Sequence, residues 1–218
     1  VRLAAFLLTA TAFLLTLAGT ASAAEIRVIN TNGDESVGSL RHAVSNASDG
    51  DVIVFDRALA GQTIGLPAPL EVSGKSITIR GLGAEGGVVL ATPPNPTSFP
   101  SSLINVDADA ELTLEEIEIR NAHGHDSAPA GDQFDGGDAG GNVITNRGTL
   151  TIQRSTVAES TGGNGGGSHF GGAGGGGSVI ANAGNGAELT IRESTLSDNT
   201  GGAGGSADWS GGGGGATG

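Results

Sequence analysis

Three short clusters in this chain carry side chains able to do chemistry. Asp107-Ala-Asp109-Ala-Glu111 places a carboxylate at every second position, so an extended backbone would put all three on one face. Carboxylates gathered in this way hold a hard cation such as Ca²⁺ or serve acid–base steps. His123-Gly-His125-Asp126 has metal-ligand types at close spacing, with His169 remote in sequence, whereas a metal site needs three or four ligands in fixed geometry. Asp132-Gln-Phe-Asp135-Gly-Gly-Asp138 is acidic and glycine-rich, a composition that suits weak Ca²⁺ binding through Asp132, Asp135, Asp138 and backbone carbonyls. Each cluster also has a plainer reading as a solvated turn or loop, and that reading is preferred for all three. No phosphate-binding loop, nucleophile elbow or dinucleotide fingerprint occurs. No catalytic residue is assigned from sequence, and Ca²⁺ is the one cofactor the clusters leave open.

The elements that must position these clusters come from a repeat. Leu112-Thr-Leu114, Leu150-Thr-Ile152 and Leu189-Thr-Ile191 stand 38 and 39 residues apart, and Ile77-Thr-Ile79 lies 35 before the first. A fixed period of this size marks a solenoid. Period-2 alternation turns the aliphatic residues inward and Thr113, Thr151 and Thr190 outward. Ile119, Val157 and Leu196 form a further apolar column, Glu115, Gln153 and Arg192 a polar one, and Glu116, Arg154 and Glu193 another. A second run precedes each copy, with Asn105, Asn146 and Asn182 expected to stack at a turn. One repeat cannot close such columns off from water, so stability requires several coils.

The expected fold is all-β, a right-handed parallel β-helix with one short N-terminal capping helix and glycine-rich loops. Strands are predicted over 26–29, 51–55, 62–66, 70–72, 76–79 and 87–90. The helix is predicted over 38–47, with Leu40, Ala43, Val44 and Ala47 on one face, Ser39 at its start and Gly50 past its end. It is placed over the open end of the first coil, within an N-terminal cap spanning 24–60. Glycine-rich repeats run from about residue 103, and residues 131–218 hold 29 of the 41 glycines. Those glycines sit between repeat cores and read as loops thrown out from successive coils, mobile unless something binds them. Gly211–Gly215 stand where another repeat would begin, which implies a β-helix domain, 24–218, continuing beyond this sequence.

Residues 1–23 read as a secretory signal peptide: Arg2, an apolar run from Leu3 to Leu17, and an Ala21-Ser22-Ala23 cleavage site. The run falls short of the roughly 20 apolar residues that a bilayer crossing needs, and no later stretch qualifies. Cleavage after Ala23 leaves 195 residues. The leader holds only one charged residue, Arg2, so the mature chain has 9 basic against 23 acidic side chains, a net charge of −14. Such a surface repels nucleic acid and anionic lipid. Cysteine is absent, so an exported chain must be stabilised by its core or by metal.

Three stretches carry a family resemblance: Gly38-Ser-Leu-Arg-His-Ala-Val44, Gly50-Asp-Val-Ile-Val-Phe55, and Leu70 through Gly81. Together they resemble the opening of secreted right-handed parallel β-helix proteins. The later copies, with Ser155-Thr-Val and Ser194-Thr-Leu-Ser-Asp-Asn199, are similar to the repeat units of polymorphic outer-membrane proteins and adhesins. They depart where Val143 and Val179 follow long glycine runs, and the F-x-x-N of that group is absent. The resemblance implies a secreted or cell-surface, non-catalytic adhesin or structural scaffold with an extracellular carbohydrate or protein ligand. Pectate lyases share the fold, which leaves open a polysaccharide lyase or hydrolase. Elimination there needs carboxylates on Ca²⁺ and an arginine base, for which Arg120, Arg154 and Arg192 are available. A calcium-dependent extracellular module is the third reading.

Overall fold

The computed structural model describes residues 23–83, 86–93, 102–129, 137–169 and 173–207. After β1 (Glu25–Val28) and α1 (Leu40–Asn46), the one α-helix among the described residues, strands follow in strict rotation through three parallel sheets. The first sheet collects β1, β2 (Val52–Phe55), β5 (Ser76–Arg80), β8 (Glu111–Glu115), β11 (Thr149–Gln153) and β14 (Glu188–Arg192). The second holds β3 (Thr63–Gly65), β6 (Val89–Ala91), β9 (Glu118–Arg120), β12 (Thr156–Ala158) and β15 (Thr195–Ser197). The third holds β4 (Leu70–Val72), β7 (Ile104–Val106), β10 (Ile144–Asn146) and β13 (Ile180–Asn182). Each full coil gives one strand to each sheet, so the chain is a parallel β-helix. The predicted strands all occur, with bounds shifted by up to two residues. The leader through Ser22 lies outside the described residues.

The register follows the repeat. Leu112, Leu150 and Leu189 stack on Ile77, and Ile53, Ile79, Leu114, Ile152 and Ile191 form the parallel column beside them. Ile64, Leu90, Ile119, Val157 and Leu196 stack in the second sheet. Nearly all of these side chains are buried in one continuous core, each contributing roughly 1.5–3 kcal/mol. The exceptions are on the last described coil: Ile191 is 39% exposed and Leu196 45%. They line an open apolar groove of about 420 Å³ with Val179, Ile180 and Leu189. At the other end α1 packs against β1, β2 and β4, where the third sheet has no strand before β4, burying Leu40, Ala43 and Val44. Ser39 Oγ accepts the His42 amide, and Lys75 Nζ donates to the Val44 and Ala47 carbonyls at 2.9 and 3.0 Å. The helix spans Leu40–Asn46 with Ala47 extended, so it starts two residues later and ends one residue earlier than predicted. Gly50, at φ +85°, makes the turn into β2.

The coils bend at two corners, each through one left-handed residue. Glu116, Arg154 and Glu193 share φ values of 48–55° at the first corner, and Asn121, Glu159 and Asp198 share 51–55° at the second. The next amide at such a corner points along the stack, where no ladder carbonyl meets it. A side chain of the following coil accepts it: Ser155 Oγ from Ile117 N, Ser194 Oγ from Ser155 N, Ser160 Oγ from Ala122 N, and Asn199 Oδ1 from Ser160 N, all at 3.1–3.2 Å. This is the physical reason for the recurring serine and asparagine of the repeat.

The asparagine stack is shorter than the spacing suggests. Asn146 Nδ2 donates to Asn182 Oδ1 at 2.6 Å, but Asn105 stands one position off, opposite Glu71 and Thr145. Val106 takes the place below Asn146, whose buried Oδ1 has no partner.

Among the described residues, the glycine-rich segments form a regular hydrogen-bonded array. Within 162–168, the amides of Gly162, Gly165 and Ser168 donate to Thr200, Ala203 and Ser206 on the next coil. Those of Gly163 and Gly166 donate to Gly141 and Asp138 in a second row. Gly174 and Gly177 donate back to Gly166 and Gly163, and Gly202 and Gly205 to Gly177 and Gly174. Hydrogen bonding thus repeats every three residues, the period of a polyproline-II-type backbone with no internal bonds. Positive φ is not the reason for glycine here, since none of these glycines has one. Close approach is: a Cβ on Gly163 would collide with the His125 carbonyl oxygen, and one on Gly177 with that of Gly141. Amides that water would satisfy in a linker are satisfied by the neighbouring row, which offsets the cost of ordering.

Two substitutions test this architecture. Ile152→Ala, fully buried, is expected to cost about 2–5 kcal/mol in denaturant unfolding, and Ile191→Ala in the same column only a fraction of that. Gly163→Ala is expected to cost about 1–3 kcal/mol by overpacking. A mobile loop would leave the unfolding midpoint unchanged.

Candidate functional site

Charged side chains of the repeats gather at the two corners of the coils. Glu115, on β8 and mostly buried, receives Arg80 Nε at 2.6 Å from the coil before and Arg154 from the coil after. Arg154 Nε also reaches Glu116 at 3.2 Å. Beside them Arg120 is bonded to Glu118 on its own strand and to Glu159 at 3.2 Å on the next coil. The hydrogen bond from Arg120 to Glu118, and then that carboxylate's charge, hold the guanidinium pKa above its ordinary value. Arg120 and Arg154 are therefore ion-paired cations. Arg192, on the last described coil, has no ion pair among the described residues.

A groove of about 370 Å³ lies at the turn from the third sheet into the first, lined by Asp49, Lys75, Ser76, Asp109, Glu111 and Thr149. It brings together two of the three alternating carboxylates. Asp109 Oδ1 accepts the Gly74 amide at 3.1 Å, Glu111 Oε2 accepts the Ser76 hydroxyl at 3.2 Å, and Asp49 Oδ1 accepts the Ser76 amide at 2.7 Å. Asp107 is not on its wall; the Asp107 carbonyl instead accepts the Ala110 amide in the turn before β8. Sequence reading missed Asp49 and Lys75, which come from two coils and one coil before Asp109. Asp49, next to Gly50 in a turn, was the available signal.

The histidine cluster does not assemble. His123 Nε2 lies 3.7 Å from Asp126 Oδ1, and the same Asp126 oxygen accepts the Asn164 amide at 2.7 Å. His123 Nδ1 is buried without a partner, while its own amide donates to Thr92 Oγ1 at 3.0 Å. Among the described residues no three His, Asp or Glu side chains are placed to hold a metal ion. Asp132 and Asp135 lie outside the described residues. Asp138 is exposed, and its carbonyl is one of the acceptors of the glycine array. No helix among the described residues is long and apolar enough to cross a membrane.

No family model matches this chain, and no curated protein or solved structure matches it. The resemblance of its repeats to secreted β-helix proteins rests on the residues quoted for it.

The charged corner gives a measurable coupling. Arg154→Ala alone is expected to cost roughly 1 kcal/mol, because the pair is half exposed and Arg80 remains on Glu115. Arg80→Ala with Arg154→Ala should cost more than the sum of the two, since Glu115 is then buried without a cation. A double-mutant cycle by urea unfolding reads this directly.

Proposed function

We propose that this protein is an exported β-helix, secreted or held at the cell surface, that serves as a non-catalytic scaffold or adhesin of the polymorphic outer-membrane type. Its partner is an extracellular carbohydrate or protein. One observation supports the reading most: the side chains that could do chemistry are engaged in holding coil to coil. Arg80, Arg120 and Arg154 neutralise carboxylates of their own and neighbouring coils, and Asp49, Asp109 and Asp126 accept backbone amides. A side chain fixed in this way is available for surface recognition and poorly placed to exchange protons with a substrate. The strongly acidic surface favours partners that carry basic groups or tolerate bound cations.

A carbohydrate-active enzyme is the second reading, and the groove with Asp49, Asp109 and Glu111 is the observation that favours it. The two are separated by incubating the purified chain with a panel of acidic and neutral polysaccharides, with and without millimolar Ca²⁺. The scaffold reading predicts no ultraviolet-absorbing unsaturated product and no new reducing ends. Either product would transfer the function to the enzyme reading. A rise in melting temperature with Ca²⁺ would instead favour a calcium-dependent module built on Asp132, Asp135 and Asp138.

A further inference from the structure

Cleavage after Ala23 would make Ala24 the first residue of the mature chain, one residue before β1 begins. The main-chain nitrogen of Ala24 lies 2.8 Å from Asp51 Oδ1, and the other carboxylate oxygen accepts the Ser48 amide at 2.8 Å. On its other side the Ala24 carbonyl accepts the Val52 amide at 2.9 Å. The backbone of Ala24 is thus clamped from both sides by Asp51-Val52, at the point where β1 joins β2. Asp51 is 6% exposed, although it carries a full charge at neutral pH. In the uncut chain it faces two neutral amides. In the cut chain one of these becomes a cation: water adds across the Ala23–Ala24 peptide bond, the new carboxylate departs with Ala23, and the Ala24 nitrogen takes up protons as an α-ammonium.

We propose that leader removal creates a structural ion pair between the Ala24 α-ammonium and Asp51, which fastens the first strand to the coil stack. The proposal rests on the export reading and gives it a consequence: the mature N-terminus is part of the fold. The edge strand of a solenoid is its weakest-held element, with a partner on one side alone. A charge-assisted bond at the entrance to β1 is placed where it opposes fraying. The pair has few rivals. Lys75 attracts Asp51 but directs two of its three donors to the Val44 and Ala47 carbonyls. Asp49 accepts the Ser76 amide, and Glu25, next along the chain, is bonded to Arg27 at 2.8 Å.

The pH dependence has a defined sign on each side. An α-amino group held by a carboxylate titrates above its ordinary range of about 7.7–8.0, so its stabilisation is full below that range and lost as pH rises through the raised value. The Ala24 and then the Ser48 backbone bonds already hold the Asp51 carboxyl below its ordinary value. Its contribution is therefore present above the usual carboxylate range and lost as pH falls through the lowered value.

The test uses the chain starting at Ala24, the same chain with a short Gly-Ser extension before Ala24, and both with Asp51→Asn. At about pH 6.5 the free-amino chain is expected to melt about 2–4 °C above the extended one. At about pH 9.5, above the ordinary α-amino range, the difference should shrink or vanish. In the Asp51→Asn pair it should be absent at both. Equal melting temperatures at the lower pH, or a difference that survives Asp51→Asn, would overturn the ion pair. Mass analysis of the exported chain is the second arm: a start at Ala24 supports natural formation of the pair, and any other start overturns that step. The two failures are separable, because the first arm uses a defined N-terminus.

Discussion

The constraint on which everything else depends is in-register stacking of identical sheet positions from segments 26 to 40 residues apart. Column after column, from Ile53 through Ile79 and Leu114 to Ile152, places aliphatic on aliphatic. A slip of one residue along any strand would turn Leu112 and Leu114 to the outside and Glu111 and Thr113 into the core. Burial therefore selects one register, and the register then fixes every polar contact between coils. The Arg80–Glu115–Arg154 ion pairs and the serine and asparagine acceptors at the corners are consequences of it. They sharpen the alignment with small energies, while the columns supply the bulk of the stability.

The two ends of the described coil stack differ. At the N-terminal end α1 covers the first coil, with Lys75 from the following coil closing its carbonyl end. At the other end Ile191 and Leu196, whose equivalents one coil earlier are buried, stand half exposed. Between the second and third sheets the coils carry long excursions, and these are organised as a second hydrogen-bonded body. Rows of glycine alternate between bonds to the next coil and bonds to the opposite row. The same backbone that would be a loose linker in isolation becomes ordered because four neighbouring segments present matching carbonyls at a spacing that only glycine permits.

Much of the fold was legible in the sequence, and the reasons are specific. Leu112, Leu150 and Leu189 announce themselves because parallel stacking demands the same residue type at the same coil position. Ser39, Leu40, Ala43 and Val44 announce the helix through its cap and its apolar stripe. The glycine array was illegible because composition alone cannot distinguish glycine used for freedom from glycine used for closeness. That distinction lies in which carbonyl faces Gly163, a fact of tertiary structure. Asn105 misled for a related reason: it matches Asn146 in pattern but sits one residue out of register, which only the pairing with Thr145 reveals. The candidate groove was half legible. Asp109 and Glu111 alternate in sequence and do share it, whereas Asp49 and Lys75 arrive from earlier coils through the solenoid's own geometry.

The most direct test of the central claim uses the absence of cysteine from the chain. Thr113 and Thr151 are register partners on the outer face of β8 and β11. Parallel neighbours in a sheet lie about 4.8 Å apart, within disulfide reach. Thr113→Cys with Thr151→Cys should form an intramolecular disulfide on oxidation, while Thr113→Cys with Gln153→Cys, offset by two residues, should remain reduced. Equal crosslinking of both pairs, or crosslinking of the offset pair alone, would contradict the stacked register from which the rest of the structure follows.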